Sequence, residues 1–212
     1  MTLLNLLRDD PLTFLFVAIA LLLSIAVHEF SHALVADRLG DPTPRVDGRL
    51  TLNPIAHLDP MGTLLILFLG LGWGKPVQFD PFNLRNPRRD AALISLAGPV
   101  SNFTIAFFAS LILRTFSLSP LTPLGQILTL LVYFSLLLGL FNLIPIHPLD
   151  GFKVVAGFLP KHLSLEWLSF EKYGIFILLL VLFFPVGSPL IFQLIGPILS
   201  TLFQLFTGYP SL

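Results

Sequence analysis

Long apolar runs dominate this sequence. Leu12 to Ala36 is apolar except for a polar cluster near its end; Asp37 and Arg38 mark the exit to water, and Gly40 to Pro44 stop the helix. Ala91 to Phe116 and Leu124 to Asn142 each meet the roughly 20 residues a membrane-crossing helix needs. The turn-rich SLSPLTP segment between them predicts an antiparallel hairpin. Met61 to Trp73 is too short to span comfortably. The last apolar block, Ile175 to Phe206, is broken by PVGSP at 185–189 and reads either as a hairpin of two short helices or as one span plus a half-span. Arg45 to Asn53 and Lys75 to Asp80 alternate polar and apolar residues between Pro and Gly breaks, the pattern of short strands. The predicted class is an all-α polytopic membrane protein, one domain over residues 1–212, with short β-strands near one face.

Composition agrees with that pattern. Of 212 residues 55% are hydrophobic and only 11% charged, and the mean hydropathy is +0.87, which excludes a water-soluble globule. Twelve Lys and Arg balance twelve Asp and Glu, so no basic surplus exists to neutralise phosphates, and nucleic-acid binding is excluded. Without cysteine, the strong metal ligands are His and carboxylates.

The cations set the expected topology. Arg38, Arg45, Arg49, Lys75, Arg85, Arg88 and Arg89 all precede Ala91, whereas the 117–124 turn has none. By the positive-inside rule the 37–90 region faces the cytoplasm. Cations on both sides of Met61 to Trp73 then predict a re-entrant or interfacial segment that enters and leaves by one face. Lys153, Lys161 and Lys172 return to the cytoplasm. Asp9 and Asp10 before the first apolar run, with Arg8 as the single preceding cation, argue against a cleaved signal peptide.

Chemistry concentrates in HEFSH, residues 28–32, inside the first apolar helix. Residues four apart on an α-helix lie about 40° apart around its axis, so His28 and His32 face one way. That spacing lets two imidazoles hold one zinc ion while Glu29 serves as general base. Ionisable groups are expensive inside a membrane helix and mark function by default. A catalytic zinc takes three protein ligands, so a carboxylate or His is needed from another segment at the same depth. Asp150 in NLIPIHPLDG (142–151) is the leading candidate: Pro145 and Pro148 break regular hydrogen bonding there and let the chain bend inward. A plain turn aspartate before Gly151 is the alternative. Topology favours the ligand, because His28 lies 16 residues beyond Leu12, roughly 24 Å along the helix, toward the cytoplasmic end where Asp150 emerges.

HEFSH in an apolar helix, followed by NLIPIHPLDG at the end of a later one, resembles the HExxH and NxxPxxxxDG motifs of the site-2 protease family of intramembrane zinc metalloproteases. GRLTLNPIAHLDPMGT (48–63), FNLRNPRRD (82–90) and AGPVSN (97–102) resemble its short bacterial and archaeal branch, which lacks a PDZ-type domain. The likeness covers about residues 20 to 155. It implies one zinc ion held by His28, His32 and Asp150, Glu29 as catalytic acid and base, and Asn142 as a substrate-binding or oxyanion-stabilising residue. It further implies a three-helix catalytic core within 12–155, flanking helices at 172–207 that gate it, and single-pass transmembrane proteins as substrates in the lipid bilayer. No helix is expected before the HEFSH one, in departure from other branches of the family.

Other residues carry weaker signals. His147 is either a partner or alternative ligand beside Asp150 or a satisfied interfacial histidine; His57 and Asp59 either line an entry or second ion site or anchor a loop through Asx-type hydrogen bonds. His162 reads as a surface residue, and Asn102 as an interhelical hydrogen-bonding residue rather than a chemical one. The rival functions are a non-catalytic metal-binding membrane protein that holds transmembrane clients, and an ion transporter using His and Asp as a proton relay.

Overall fold

The computed structural model describes residues 3–70, 72–183, 185–186 and 188–209. Two helices open the chain, α1 (Leu3–Asp9) and α2 (Pro11–Arg38), so a short helix of 7 residues precedes the one that carries HEFSH, where none was expected. They are separated by Asp10, whose carboxylate accepts a hydrogen bond from the Thr13 amide as the N-cap of α2. Pro11 takes the first helical position, where its missing N–H costs nothing. A loop region follows with α3 (Thr43–Val46), a 3₁₀ turn at Pro54–His57, α4 (Pro60–Leu69) and a second 3₁₀ turn at Pro81–Asn83. The long helices α5 (Pro87–Thr115) and α6 (Pro123–Asn142) come next, then α7 (Asp150–Phe158), α8 (Lys161–Ser169) and α9 (Glu171–Phe183). The two-residue strands β1 (Pro185–Val186) and β2 (Ser188–Pro189) pair antiparallel and lead into α10 (Leu190–Thr207).

Three helices, α2, α5 and α6, are long and apolar enough to cross a membrane. At 1.5 Å per residue they measure about 42, 44 and 30 Å against a hydrocarbon core of about 30 Å. This is the architecture of a multi-pass membrane protein, and the three helices pack on one another through small residues. Ser24 of α2 donates to the Ala20 carbonyl at 2.8 Å and meets the Ser135 hydroxyl of α6 at 2.9 Å, both side chains wholly buried. Small side chains let the backbones approach, and a hydroxyl paired across helices leaves no unsatisfied polar group in hydrocarbon. Ala106, Ala109 and Leu113 of α5, Val132 and Leu136 of α6, and Leu199 and Phe203 of α10 form the largest buried apolar cluster. Helix α10 therefore closes the bundle on the side of α5 and α6 away from α2.

The helical expectations agree with these bounds to within four residues at each end of the three spans. The C-terminal block forms two helices of 13 and 18 residues, separated at the PVGSP break. The expected strands are not formed. Within 45–53 the chain finishes the α3 turn and reverses at Gly48, with φ +68°. Pro42 and Pro44 favour that turn by fixing their φ near the helical value. Residues 75–80 form no strand: the Lys75 and Pro76 carbonyls and the Lys75, Val77 and Asp80 amides are taken by side chains and a loop carbonyl instead of a neighbouring strand. A single bridge, Leu58 to Gly74, is the ladder contact there. The alternation read as β pattern comes from a strap pinned at intervals.

Helix α4 has 10 residues, about 15 Å and half the hydrocarbon thickness. Asp59 caps it by accepting from the Gly62 amide at 2.7 Å, and Gly70, with φ +72°, ends it.

Candidate metal centre

Helices α2 and α5 run antiparallel, and the site grows from their facing stripes. His28 and His32 are one turn apart on α2, 4% and 7% exposed, with ring centroids 4.6 Å apart and planes nearly perpendicular. On α5, Ile94, Gly98 and Asn102 recur every four residues and so share a face. The Ile94 carbonyl lies 2.7 Å from His32 Nδ1, and the Asn102 amide lies 3.2 Å from His28 Nδ1. Gly98 sits between: an added Cβ would stand 2.5 Å from His32 Nε2 and 2.6 Å from His28 Nε2. Any side chain there would fill the space that both ring nitrogens border.

Asp150 arrives from the other side. Pro145 and Pro148 cannot donate backbone hydrogen bonds, and after α6 ends at Asn142 the chain turns through 143–149 before α7 begins at Asp150. Gly151 makes the return possible, because a Cβ at that position would come within 2.2 Å of the Leu143 carbonyl oxygen. The outcome is that Asp150 Oδ2 lies 3.1 Å from His28 Nε2 and 3.2 Å from His32 Nε2. The three prospective ligand atoms all lie within 4.8 Å of one another.

These atoms fit a zinc ion. A carbonyl only accepts, so His32 Nδ1 carries the proton toward Ile94, and in the neutral ring its Nε2 presents a lone pair. Asp150 Oδ2 is buried and makes no hydrogen bond despite the two nitrogens beside it. Two imidazole nitrogens and a buried carboxylate oxygen gathered this closely form a donor set that suits a cation. The separations also suit one, since a tetrahedron with metal–ligand bonds of about 2.05 Å has edges of about 3.3 Å. Two nitrogens and one carboxylate oxygen leave the fourth position open, as in a catalytic zinc site.

Glu29 is not a member of this ligand group. Its Oε2 accepts from the Val77 amide at 3.1 Å, so the strap 75–80 holds the carboxylate. The strap is fastened at several points. The Arg49 guanidinium, 5% exposed, donates to the carbonyls of Ala56, Lys75 and Pro76. The Lys75 amide donates to the His57 carbonyl at 2.8 Å, and the Asp80 amide to Asp41 Oδ2 at 2.7 Å. The Lys153 ammonium of α7 lies 4.7 Å over the Phe79 ring. Burial pushes the Lys153 ammonium down from its ordinary value, against the pull of Asp150 and Glu171. Burial disfavours the charged Asp41 carboxylate, but hydrogen bonds from the Thr43 hydroxyl, the Asn83 amide and two backbone amides outweigh it and hold the carboxyl below its usual range.

The structure thus brings His28, His32 and Asp150 together and sets Glu29 beside them on α2. The side-chain amide of Asn142 donates to the Leu138 carbonyl of its own helix at 3.0 Å. His57 is wholly buried with Nε2 donating to the Thr51 carbonyl at 2.8 Å, and with the Asp59 cap it anchors the loop between α3 and α4. His147 Nδ1 lies 3.6 Å from Glu171 Oε1, linking the 143–149 turn to α9. His162 is exposed on α8. Sequence patterns did not single out Gly98 or the strap's fastening by Arg49 and Asp41. The four-residue recurrence of positions 94, 98 and 102 on α5 was the available signal for the first.

Over 200 residues the chain is 36% identical to the protein named "Putative zinc metalloprotease YwhC" of Bacillus subtilis, covering 91% of each. It belongs to that family of zinc metalloproteases. The proteins named "Putative zinc metalloprotease Rip2" are also related: that of Mycolicibacterium smegmatis is 34% identical over 109 residues, 49% of this chain and 41% of its own. The Rip2 protein of Mycobacterium tuberculosis is 38% identical over 99 residues, 44% of this chain and 38% of its own. No family model and no solved structure matches the chain. For a YwhC-like zinc metalloprotease, the convergence of His28, His32 and Asp150 supplies the one metal site the name requires.

Proposed function

We propose that this protein is an intramembrane zinc metalloprotease of the site-2 protease type, hydrolysing peptide bonds within the transmembrane segments of single-pass membrane proteins in regulated intramembrane proteolysis. The observation that carries this reading is the ligand trio assembled on a helix that is itself long and apolar enough to span a bilayer, with Glu29 next to the first ligand.

When bound at His28, His32 and Asp150, zinc supplies Lewis acidity toward a water molecule and toward the scissile carbonyl. Glu29 takes the proton from the attacking water and hands it to the departing amide nitrogen. The Val77 amide keeps the Glu29 carboxylate turned to one side of α2. Asn142 stabilises the developing oxyanion by donating its side-chain amide, which it must first withdraw from the Leu138 carbonyl. A helical substrate has its carbonyls locked in hydrogen bonds, so it unwinds locally and needs new backbone partners. The strap 75–80, pinned through its Val77 and Asp80 amides to Glu29 and Asp41, offers its remaining backbone groups by strand addition.

In this reading the cation-rich 37–90 region and the active site lie toward the cytoplasm, and α4 is a re-entrant or interfacial element. Helices α9 and α10 flank the core as a gate for the substrate.

The test compares wild type with Glu29→Gln in detergent, measuring zinc content and cleavage of a panel of single-pass reporters. Zinc retained with cleavage lost is the expected result. A wild-type protein that binds zinc and cleaves none of the panel favours a client-holding membrane protein. Asp150-dependent ion flux into vesicles without peptide cleavage favours a transporter.

A further inference from the structure

We propose that Asn102 is a positioning residue for the metal centre, holding His28 in the Nδ1-protonated form that frees Nε2 for zinc. The inference deepens the zinc reading and rests on it.

Asn102 is fully buried on α5, two turns from Ile94 on the same face. The two residues play matched parts, each meeting the Nδ1 side of one imidazole whose Nε2 lies near Asp150. At His32 the partner is a backbone carbonyl, an obligate acceptor, so the tautomer is fixed. At His28 the partner is a side-chain amide, which presents either nitrogen or oxygen to the same point by a half-turn about its terminal torsion. With the nitrogen facing His28 at 3.2 Å, Asn102 Oδ1 is buried without a partner. That orientation would make Nδ1 an acceptor and leave the proton on Nε2, where no metal can bind.

With the oxygen facing His28, Oδ1 accepts the Nδ1 proton and Nε2 keeps its lone pair. The ring N–H is then the donor that Oδ1 otherwise lacks among the described residues. Metal-bound histidines donate their second N–H to such an acceptor, which fixes ring orientation and raises ligand basicity. Both histidines then hang from α5 by the same kind of bond, one on a main-chain and one on a side-chain oxygen. A role confined to tying α2 to α5 would place no demand on which end of the amide faces the ring.

The acceptor role and the tying role separate experimentally. Zinc affinity is measured by chelator competition in detergent for wild type, Asn102→Asp and Asn102→Leu, with thermal melts of the zinc-free proteins alongside. Asp is an obligate acceptor of nearly the same shape, so N102D is expected to bind zinc at least as tightly as wild type to within about threefold. N102L is expected to weaken zinc by about 10–100-fold, the usual effect of removing such a partner. The proposal is overturned if N102D loses zinc, or if N102L binds as wild type does while its zinc-free melting temperature falls. If N102L does not fold, the N102D affinity decides alone. A wild-type protein that takes up no zinc overturns the metal centre as a whole, whereas equal affinities in all three proteins overturn only the part given to Asn102.

Discussion

Gly98 of α5 stands so close to His32 of α2 that a methyl group on it would lie 2.5 Å from Nε2. The same methyl would lie 2.6 Å from His28 Nε2, on the side from which Asp150 approaches. An alanine there competes with the metal for space and pushes apart two packed helices. Overpacking of this kind costs about 1–3 kcal/mol, equivalent to roughly 5–150-fold in zinc affinity where the strain falls on the metal-bound state. Gly98→Ala is therefore expected to bind zinc about that much more weakly while remaining helical. Chelator competition with circular dichroism checks both, and wild-type affinity in that variant would contradict the packing described.

Metal removal should cost stability as well as activity. Without a cation, two imidazole nitrogens and a buried carboxylate oxygen face one another at 3.1 and 3.2 Å. Binding to the folded state alone contributes about 2.7 kcal/mol at free zinc one hundred times the dissociation constant. A chelator is expected to lower the melting temperature of wild type, and added zinc to restore it. Asp150→Ala should show neither response. A melting temperature indifferent to zinc in wild type would rule out specific binding at the trio.

Much of this centre was legible in the sequence because it is written in local terms. His28, Glu29 and His32 share one helix turn, and the apolar run around them announces their depth. Asp150 required a topological argument, which the fold agrees with by bringing it to both imidazoles. The long helices were legible from their composition. The strap was not: its residues alternate as a strand does, but Arg49, Glu29 and Asp41 reach it from 26, 48 and 39 positions away. A period-2 pattern records which side chains point outward, and cannot show whether the backbone bonds to a strand or to side chains. Gly98 escaped for a related reason, since a glycine's value lies in what stands opposite; Asn102 was legible as an interhelical hydrogen-bonding residue, and it meets His28 across the helix pair, but an apolar helix gives no hint of which polar atom its partner offers.

The strap makes its own prediction. Val77→Pro deletes the N–H that meets Glu29 Oε2 at 3.1 Å and leaves the zinc ligands untouched. Zinc content should stay at the wild-type level while turnover of a transmembrane reporter falls by at least about tenfold, within the 10²–10⁴-fold ceiling expected for a general base. Unchanged turnover would remove the strap from the account of both Glu29 and substrate binding.

Asp41 fastens the far end of the strap and gives the fold an acid-sensitive point. It is fully buried and accepts from Thr43, from the Asn83 side chain and from the Asp80 amide, on segments up to 42 positions away. These hydrogen bonds hold its carboxyl below the ordinary value. A carboxylate depressed on folding contributes stability that is present in full above the unfolded-state value and is lost as pH falls through the folded-state value. Wild-type stability should therefore decline on the acid side of the normal carboxylate range. Asp41→Asn keeps the shape but replaces an acceptor oxygen with an amide that faces the Asp80 N–H. It should destabilise the protein by about 1–3 kcal/mol at neutral pH, the cost of a buried group left unpaired. Because the variant has no carboxylate to protonate, the gap between the two proteins should narrow as pH falls. Melting curves across that range measure it, and a gap independent of pH would mean the charge of Asp41 contributes nothing to holding the strap.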